Sequence, residues 1–290
     1  MASMSGTPDP TLTWTPATDL AGKRIVVVGG TDGLGRAIAR LAAARGARVT
    51  VVGRTLRDPA TPGITFVRAD LSSMKEADRL GETLEAAALD AVVLTTGIMA
   101  APERQVTDEG LERDMAVSYL SRLALLRKLV PRLRDAARVF VMGFPGAGNL
   151  GEDVDDLNAE RGYDAMRVHM NTVAGNEMLV LDWARKATHV GFYGLNPGLV
   201  KTAIRSNYLG DNSWKHRLAE TFIGWLTPTP ERYAERVVPL LFARELDGRS
   251  GAHFNQKVTA IRPSEGMDPA HVARFLAAST ALVDRAVAGA

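Results

Sequence analysis

The stretch that most constrains this chain is Arg24 to Arg40, R-I-V-V-V-G-G-T-D-G-L-G-R-A-I-A-R. Ile25 to Val28 form an unbroken β-branched run, the pattern of a strand buried on both faces. Gly29, Gly33 and Gly35 then set a G-x-x-x-G-x-G turn, and Leu34 to Ala44 continue with helical periodicity. Glycines let a backbone turn tightly and approach a pyrophosphate, whose charge meets the free N–H groups of a helix N-terminus. Glycines also end strands for structural reasons alone. The position of this turn, between a buried strand and a helix, points to a dinucleotide site.

The remaining chain alternates strand and helix patterns. Expected strands are Ala47–Val52, Ile64–Val67, Ala91–Leu94, Arg138–Met142, Val190–Leu195 and a short one near Ala252–Phe254. Helices are expected from Ser72 or Ser73 to about Ala88, over Asp108–Leu133, Tyr163–Lys186, Pro230–Arg244 and Pro269–Val287. Such alternation predicts an α/β fold, a doubly wound parallel (Rossmann) sheet with helices on both faces. With no repeat or linker in 290 residues, residues 20–290 read as one domain behind a flexible, polar, Pro-rich segment 1–19. The aromatic-bearing region 201–227, with Tyr208, Trp214, Phe222 and Trp225, reads as a substrate lid; Trp214 and Trp225 serve equally as core or interface residues.

Composition excludes several functions. No cysteine is present, so disulfides, thiolate nucleophiles and cysteine-based zinc sites are ruled out. The five histidines show no paired ligand spacing, and no metal is expected. A net charge of +2 without Lys/Arg runs, and 6% aromatic residues, give no nucleic-acid surface. No apolar run is long enough for a membrane span, and Met1–Asp19 lacks the form of a signal peptide, so a cytoplasmic protein is expected. At the end of the second strand no acid stands ready for a ribose 2′-hydroxyl, whereas Arg54 and Arg57 suit a 2′-phosphate. NADP(H) is the expected cofactor; a solvated loop arginine is the alternative for Arg54.

These motifs resemble the short-chain dehydrogenases/reductases: V-V-V-G-G-T-D-G-L-G-R-A, Asp70-Leu71, the strand ending in T-T-G at Gly97, T-D-E-G-L-E (Thr107 to Glu112) and N-P-G-L-V-K-T (Asn196 to Thr202). D-L-N-A-E-R-G-Y (Asp156 to Tyr163) and S-G-A-H-F (Ser250 to Phe254) resemble the retinol-dehydrogenase-like branch. The resemblance runs over nearly the whole chain after Asp19. It implies that Gly29, Thr31, Gly33 and Leu34 hold the pyrophosphate, Arg54 the 2′-phosphate, and Asp70 and Leu71 the adenine. Thr96 and Gly97 would lie along the ribose, and Pro197, Gly198, Val200 and Thr202 near the nicotinamide. It also implies a homodimer or homotetramer built on the two long central helices.

The resemblance breaks at the catalytic set of Ser, Tyr, Lys and Asn. Anchored by Asp156-Leu157-Asn158 on one side and by Asn176 with Asp182-Trp183-Ala184-Arg185 on the other, the Tyr position falls on His169 and the Lys position on Val173. The Ser position falls on Phe144 or Gly143, and the Asn position on Ser118. Tyr163 and Arg167 repeat the Tyr/Lys spacing, but Tyr163 lies six residues early, roughly 9 Å back along a helix and about 120° around it. His169, Ser118 and Asn171 remain as candidate catalytic residues; each is equally accommodated as an ordinary helix position. Three functions stay open. The first is an NADP(H)-dependent reductase of an activated C=C or C=N bond in a small apolar substrate, with His169 protonating or orienting it. The second is a non-redox cyclase or isomerase, and the third a non-catalytic NADP(H)-sensing protein.

Overall fold

The computed structural model describes residues 10–57, 61–198 and 229–289. Its frame is one eight-stranded sheet in the order β3-β2-β1-β4-β5-β6-β7-β8. The strands are β1 (Arg24–Val28), β2 (Arg48–Gly53), β3 (Ile64–Arg68), β4 (Ala91–Leu94), β5 (Arg138–Met142), β6 (Gly191–Leu195), β7 (His253–Phe254) and β8 (Ala260–Ile261). β1 to β7 run parallel to one another, and β8 alone runs antiparallel, against β7. The expected Rossmann sheet is present; the two-residue β8 is an addition that the sequence pattern did not signal.

Alternation along β1 divides the core into two layers. Val26 and Val28 face the layer covered by α2 (Met74–Thr83), α4 (Ser121–Leu129), α5 (Ala165–Lys186) and α7 (Pro269–Ala288). Ile25 and Val27 face the layer covered by α1 (Gly33–Ala44) and α6 (Pro230–Leu240). Strands buried on both faces need apolar residues at every position, which is why they read as continuous runs. Trp14 and Leu12, from the segment expected to be flexible, pack against the second layer, and the Trp14 indole N–H donates to the Val258 carbonyl at 2.9 Å.

Several helix limits differ from the sequence reading. The second expected helix stops at Thr83 and gives way to a 3-10 turn, Ala86–Ala88. The expected Asp108–Leu133 helix starts later, with a short α3 (Arg113–Met115), because Thr107 to Leu111 close a hydrogen-bonded turn first. It then passes through a π-helical segment, Ala116–Leu120, before α4. α5 begins at Ala165, where the Asp164 side chain accepts from the Arg167 N–H, and α6 ends at Leu240. A π turn widens a helix by one residue and re-aims its side chains. Here it turns Ser118 to the Ile98 N–H in the segment that follows β4 and seats Tyr119 on Gly175 of α5, where a Cβ would lie 2.6 Å from the tyrosine ring.

Among the described residues no helix is long and apolar enough to cross a membrane, and no group of three or more acidic or histidine side chains is placed to hold a metal.

Candidate active site

A cavity of about 350 Å³ opens at the carboxyl ends of β1 to β4. That is where strand order reverses between β1 and β4, the crevice in which open α/β sheets take ligands. Gly29, Thr31, Gly33, Leu34, Arg54, Asp70, Leu71, Thr96 and Gly97, all singled out by sequence, line this one cavity. Pro197 and Gly198 follow β6 outside it, and the Gly198 N–H donates to Asn196 Oδ1 at 2.8 Å. Val200, Thr202 and the expected lid, 201–227, lie outside the described residues.

The glycine turn is shaped by close backbone approach. Gly29 has φ of +86°, a left-handed value costly for residues with a Cβ. A Cβ at Gly35 would lie 2.3 Å from the Gly29 carbonyl oxygen and 2.4 Å from Thr95 Oγ1. The first turn of α1 can therefore sit directly against the end of β1. Asp32 caps that helix through Gly33 N–H at 2.9 Å and pairs with Arg57 at 3.1 Å. Both partners are more than half exposed, so the pair adds little stability.

The opposite wall is pinned from several sides. Asp70 Oδ1 accepts from the backbone N–H and the hydroxyl of Ser72, and the Asp70 N–H donates to Glu76. Burial opposes ionisation of Asp70, but the two Ser72 donors, with Arg54 and Arg113 nearby, carry its carboxyl below the usual value. The buried Thr96 hydroxyl has no hydrogen-bond partner among the described residues. Together these features fit a dinucleotide: a cradle that any Cβ would fill, a cation, a carboxylate and a free hydroxyl around one cavity.

Beside the cavity, the π segment and α3 gather a polar cluster whose members His169, Ser118 and Asp114 are not themselves on the cavity lining. His169 Nδ1 lies 2.8 Å from Asp114 Oδ2, and the Ser118 hydroxyl donates to Asp114 Oδ1 at 2.5 Å while accepting from the Ile98 N–H at 2.9 Å. The Asp114 side chain is fully buried, whereas that of His169 is 22% exposed. Ile98 and Val117, next to this cluster in space and in sequence, line the cavity. Behind it, Arg122 is buried, donating to the carbonyls of Met142 and Thr96 and to Asn176 Oδ1. Burial pushes its guanidinium down to about 9, with the Asp114 charge opposing that shift.

The other candidates are placed differently. Asn171 clamps Glu152, donating to its carbonyl at 2.8 Å and accepting from its N–H at 2.7 Å. Val173 is buried, and Phe144 is 39% exposed at the end of β5. The Tyr163 hydroxyl donates to the Ala101 carbonyl, and burial, with Glu112 and other acids nearby, pushes it up to about 12. Asp114, Arg122 and Glu109 were not singled out by sequence. Asp114 and Arg122 stand in a stretch that reads as an ordinary helix, so only the fold brings them to the site. Glu109 sat within a recognised motif, but its contact with α2, 35 residues away in sequence, is tertiary.

Comparisons with known proteins agree with this geometry. The family described as short chain dehydrogenase matches residues 23–141. An uncharacterized oxidoreductase of Saccharomyces cerevisiae is 43% identical, over 96% of this chain and 95% of that protein. Retinol dehydrogenase 12 of Bos taurus is 27% identical, over 84% of this chain and 81% of its own. In structure, the angucycline C-6 ketoreductase LanV, solved with bound NADP, aligns with a TM-score of 0.61 at 23% identity, over 82% of this chain and 95% of that one. On the family match, on the 43% identity with the yeast oxidoreductase over 96% of this chain, and on the sheet above, this chain belongs to the short chain dehydrogenase family.

Proposed function

We propose that the protein is an NADP(H)-dependent oxidoreductase that reduces an activated C=C or C=N bond of a small apolar compound, with His169 as its proton-transfer group. The observation that carries this reading is the cavity, with the glycine turn, Arg54, Asp70 and Thr96 on one continuous lining. Gly29, Gly33 and Leu34 would receive the pyrophosphate at the start of α1, and Arg54 a 2′-phosphate. Asp70 would receive the adenine, and Thr96 and Gly97 the ribose. When bound, the dinucleotide supplies a hydride.

The residues around the nicotinamide end decide the substrate class. Phenol, ammonium and serine hydroxyl are replaced by His169, Val173 and Phe144 or Gly143. Preorganised donors of that kind are worth several kcal/mol to a developing alkoxide, by general estimates of about 3 kcal/mol per donor. An iminium already carries its charge, and a conjugated alkene spreads the charge that develops. A conjugated alkene therefore needs only the single proton that His169 delivers to the α-carbon of the enolate left by hydride addition, and an iminium, neutralised by the hydride itself, needs His169 only to orient it. The bovine relative's name, retinol dehydrogenase, and the ketoreductase's bound NADP support an apolar substrate and this cofactor.

The test begins with cofactor binding. NADPH is expected to raise the melting temperature more than NADH at equal concentration, and Arg54→Ala to remove most of the difference. Equal shifts that are unchanged in Arg54→Ala would overturn the choice of NADP(H). Consumption of NADPH that depends on substrate and disappears in His169→Phe, with cofactor binding intact, would support the reductase. Product formed without net NADPH oxidation would select a cyclase or isomerase instead.

A further inference from the structure

We propose that Asp114 is a positioning residue for His169. Its buried carboxylate fixes the neutral imidazole as the Nδ1–H tautomer and leaves Nε2 as the atom that exchanges a proton with substrate. The inference rests on the reading of His169 as the proton-transfer group. It moves part of the catalytic apparatus onto α3, directly ahead of the π-helical turn.

Three observations carry it. First, the contact is directional: His169 Nδ1 meets Asp114 Oδ2 at 2.8 Å, a short distance expected of a charge-assisted bond. Second, burial falls off outward. The Asp114 side chain is fully enclosed and the imidazole is 22% exposed, so the carboxylate lies on the protein side of the ring. Third, the carboxylate cannot swing away. Oδ1 is held by the Ser118 hydroxyl, which is itself held by the Ile98 N–H on the cavity wall. An exposed ion pair would contribute little, but a buried acceptor with both oxygens engaged has one orientation and a steep penalty for leaving it.

The neighbouring charged groups are committed elsewhere. Glu112 Oε2 accepts from the Met115 N–H at 2.8 Å and starts α3. The Tyr163 hydroxyl donates to the Ala101 carbonyl, and Arg104 to that of Asn158. Arg122, behind the turn, feels the Asp114 charge and is neutralised by no other acid in its own contacts. Asp114 thus stands between a buried cation and an imidazole. In the forward step the Nε2–H bond of the imidazolium breaks and its proton passes to the reduced substrate. The ring returns to the neutral Nδ1–H form, with its contact to Asp114 kept throughout.

The test is nitrogen NMR of the full chain labelled with ¹⁵N-histidine, the His169 signals being identified by their loss in His169→Gln. Neutral His169 is expected to carry its proton on Nδ1 in the wild type, with and without NADPH. Asp114→Ala is expected to move it to the Nε2–H form that a free imidazole prefers, while Ser118→Ala keeps Nδ1–H. A wild-type His169 protonated on Nε2 overturns the proposal without any variant, as does an unchanged tautomer in folded Asp114→Ala. On 2-cyclohexen-1-one as probe, Asp114→Ala is expected to lower kcat on the order of 10²–10⁴-fold with KM for NADPH unchanged. Full turnover by His169→Gln would instead remove His169 as proton donor, and the tautomer result would then stand as a structural fact alone.

Discussion

At the scale of single residues, function here depends on atoms that leave no room. Gly35 is in the first turn of α1, yet its missing side chain matters more to the cavity than to the helix. A methyl there would press on the Gly29 carbonyl at 2.3 Å and on Thr95 Oγ1 at 2.4 Å. Thr95 in turn holds β4 to β1, donating from its hydroxyl to the Val28 carbonyl at 2.9 Å. Neither neighbour is the free end of a flexible chain, so Gly35→Ala must displace backbone. The expected cost is about 1–3 kcal/mol of stability. NADPH should also give a smaller thermal shift, because the N–H groups proposed to receive the pyrophosphate move with the turn. Both are read in one melting experiment with and without cofactor, and an unchanged wild-type shift would count against that role for the turn.

Between elements, the wall that carries Asp70 is held by a residue from another part of the chain. Glu109 accepts from the Ser73 hydroxyl at 2.7 Å, the Met74 N–H at 2.6 Å and the Lys75 N–H at 3.2 Å, crowning the N-terminus of α2. Ser73 caps the same helix through the Glu76 N–H, and Glu76 reaches back to the Asp70 N–H at 2.6 Å. A carboxylate over free N–H groups also meets the positive end of the helix. Glu109→Ala should cost about 1–2 kcal/mol, the range of a lost cap, and loosen Asp70. The predicted signature is a lower urea midpoint together with weaker NADPH binding. A fall in stability alone would separate the cap from the cofactor wall.

For the molecule as a whole, a buried histidine on β7, next to the edge strand, is expected to contribute to the response to acid. His253 of β7 is buried against β6, where a Cβ on Gly194 would lie 2.3 Å from the imidazole Cδ2. Burial pushes this histidine down to about 4, the Gly251 carbonyl only partly opposing. The unfolded chain takes up the proton near pH 6.5 and the folded one only near pH 4. Stability is therefore fully present above about pH 6.5 and is lost as pH falls toward 4, by roughly 3 kcal/mol. Glu177 and Glu112, whose carboxyls burial raises, titrate with the opposite sign. Comparing wild type with His253→Leu isolates the histidine: the drop in urea midpoint between pH 7 and pH 5 should shrink in the variant. An equal drop in both proteins would assign acid sensitivity elsewhere.

The sequence by itself determined the parts of this protein whose physics is local. A β-branched run must be a buried strand, a glycine turn before a helix must approach something closely, and strand–helix alternation leaves few ways to wind a sheet. Hence β1 to α1, the strand series up to β7 and nine residues of the cavity wall are legible in the sequence. Tertiary structure alone decided which polar residues meet. Asp114 lies 55 residues from His169, and Glu109 lies 35 from Met74. The π turn that aims Ser118 and seats Arg122 behind it has no periodic signature, since five residues of altered winding leave the apolar spacing almost intact. Sequence spacing reports what one element buries, whereas a carboxylate set against an imidazole depends on how two elements cross, and packing settles that.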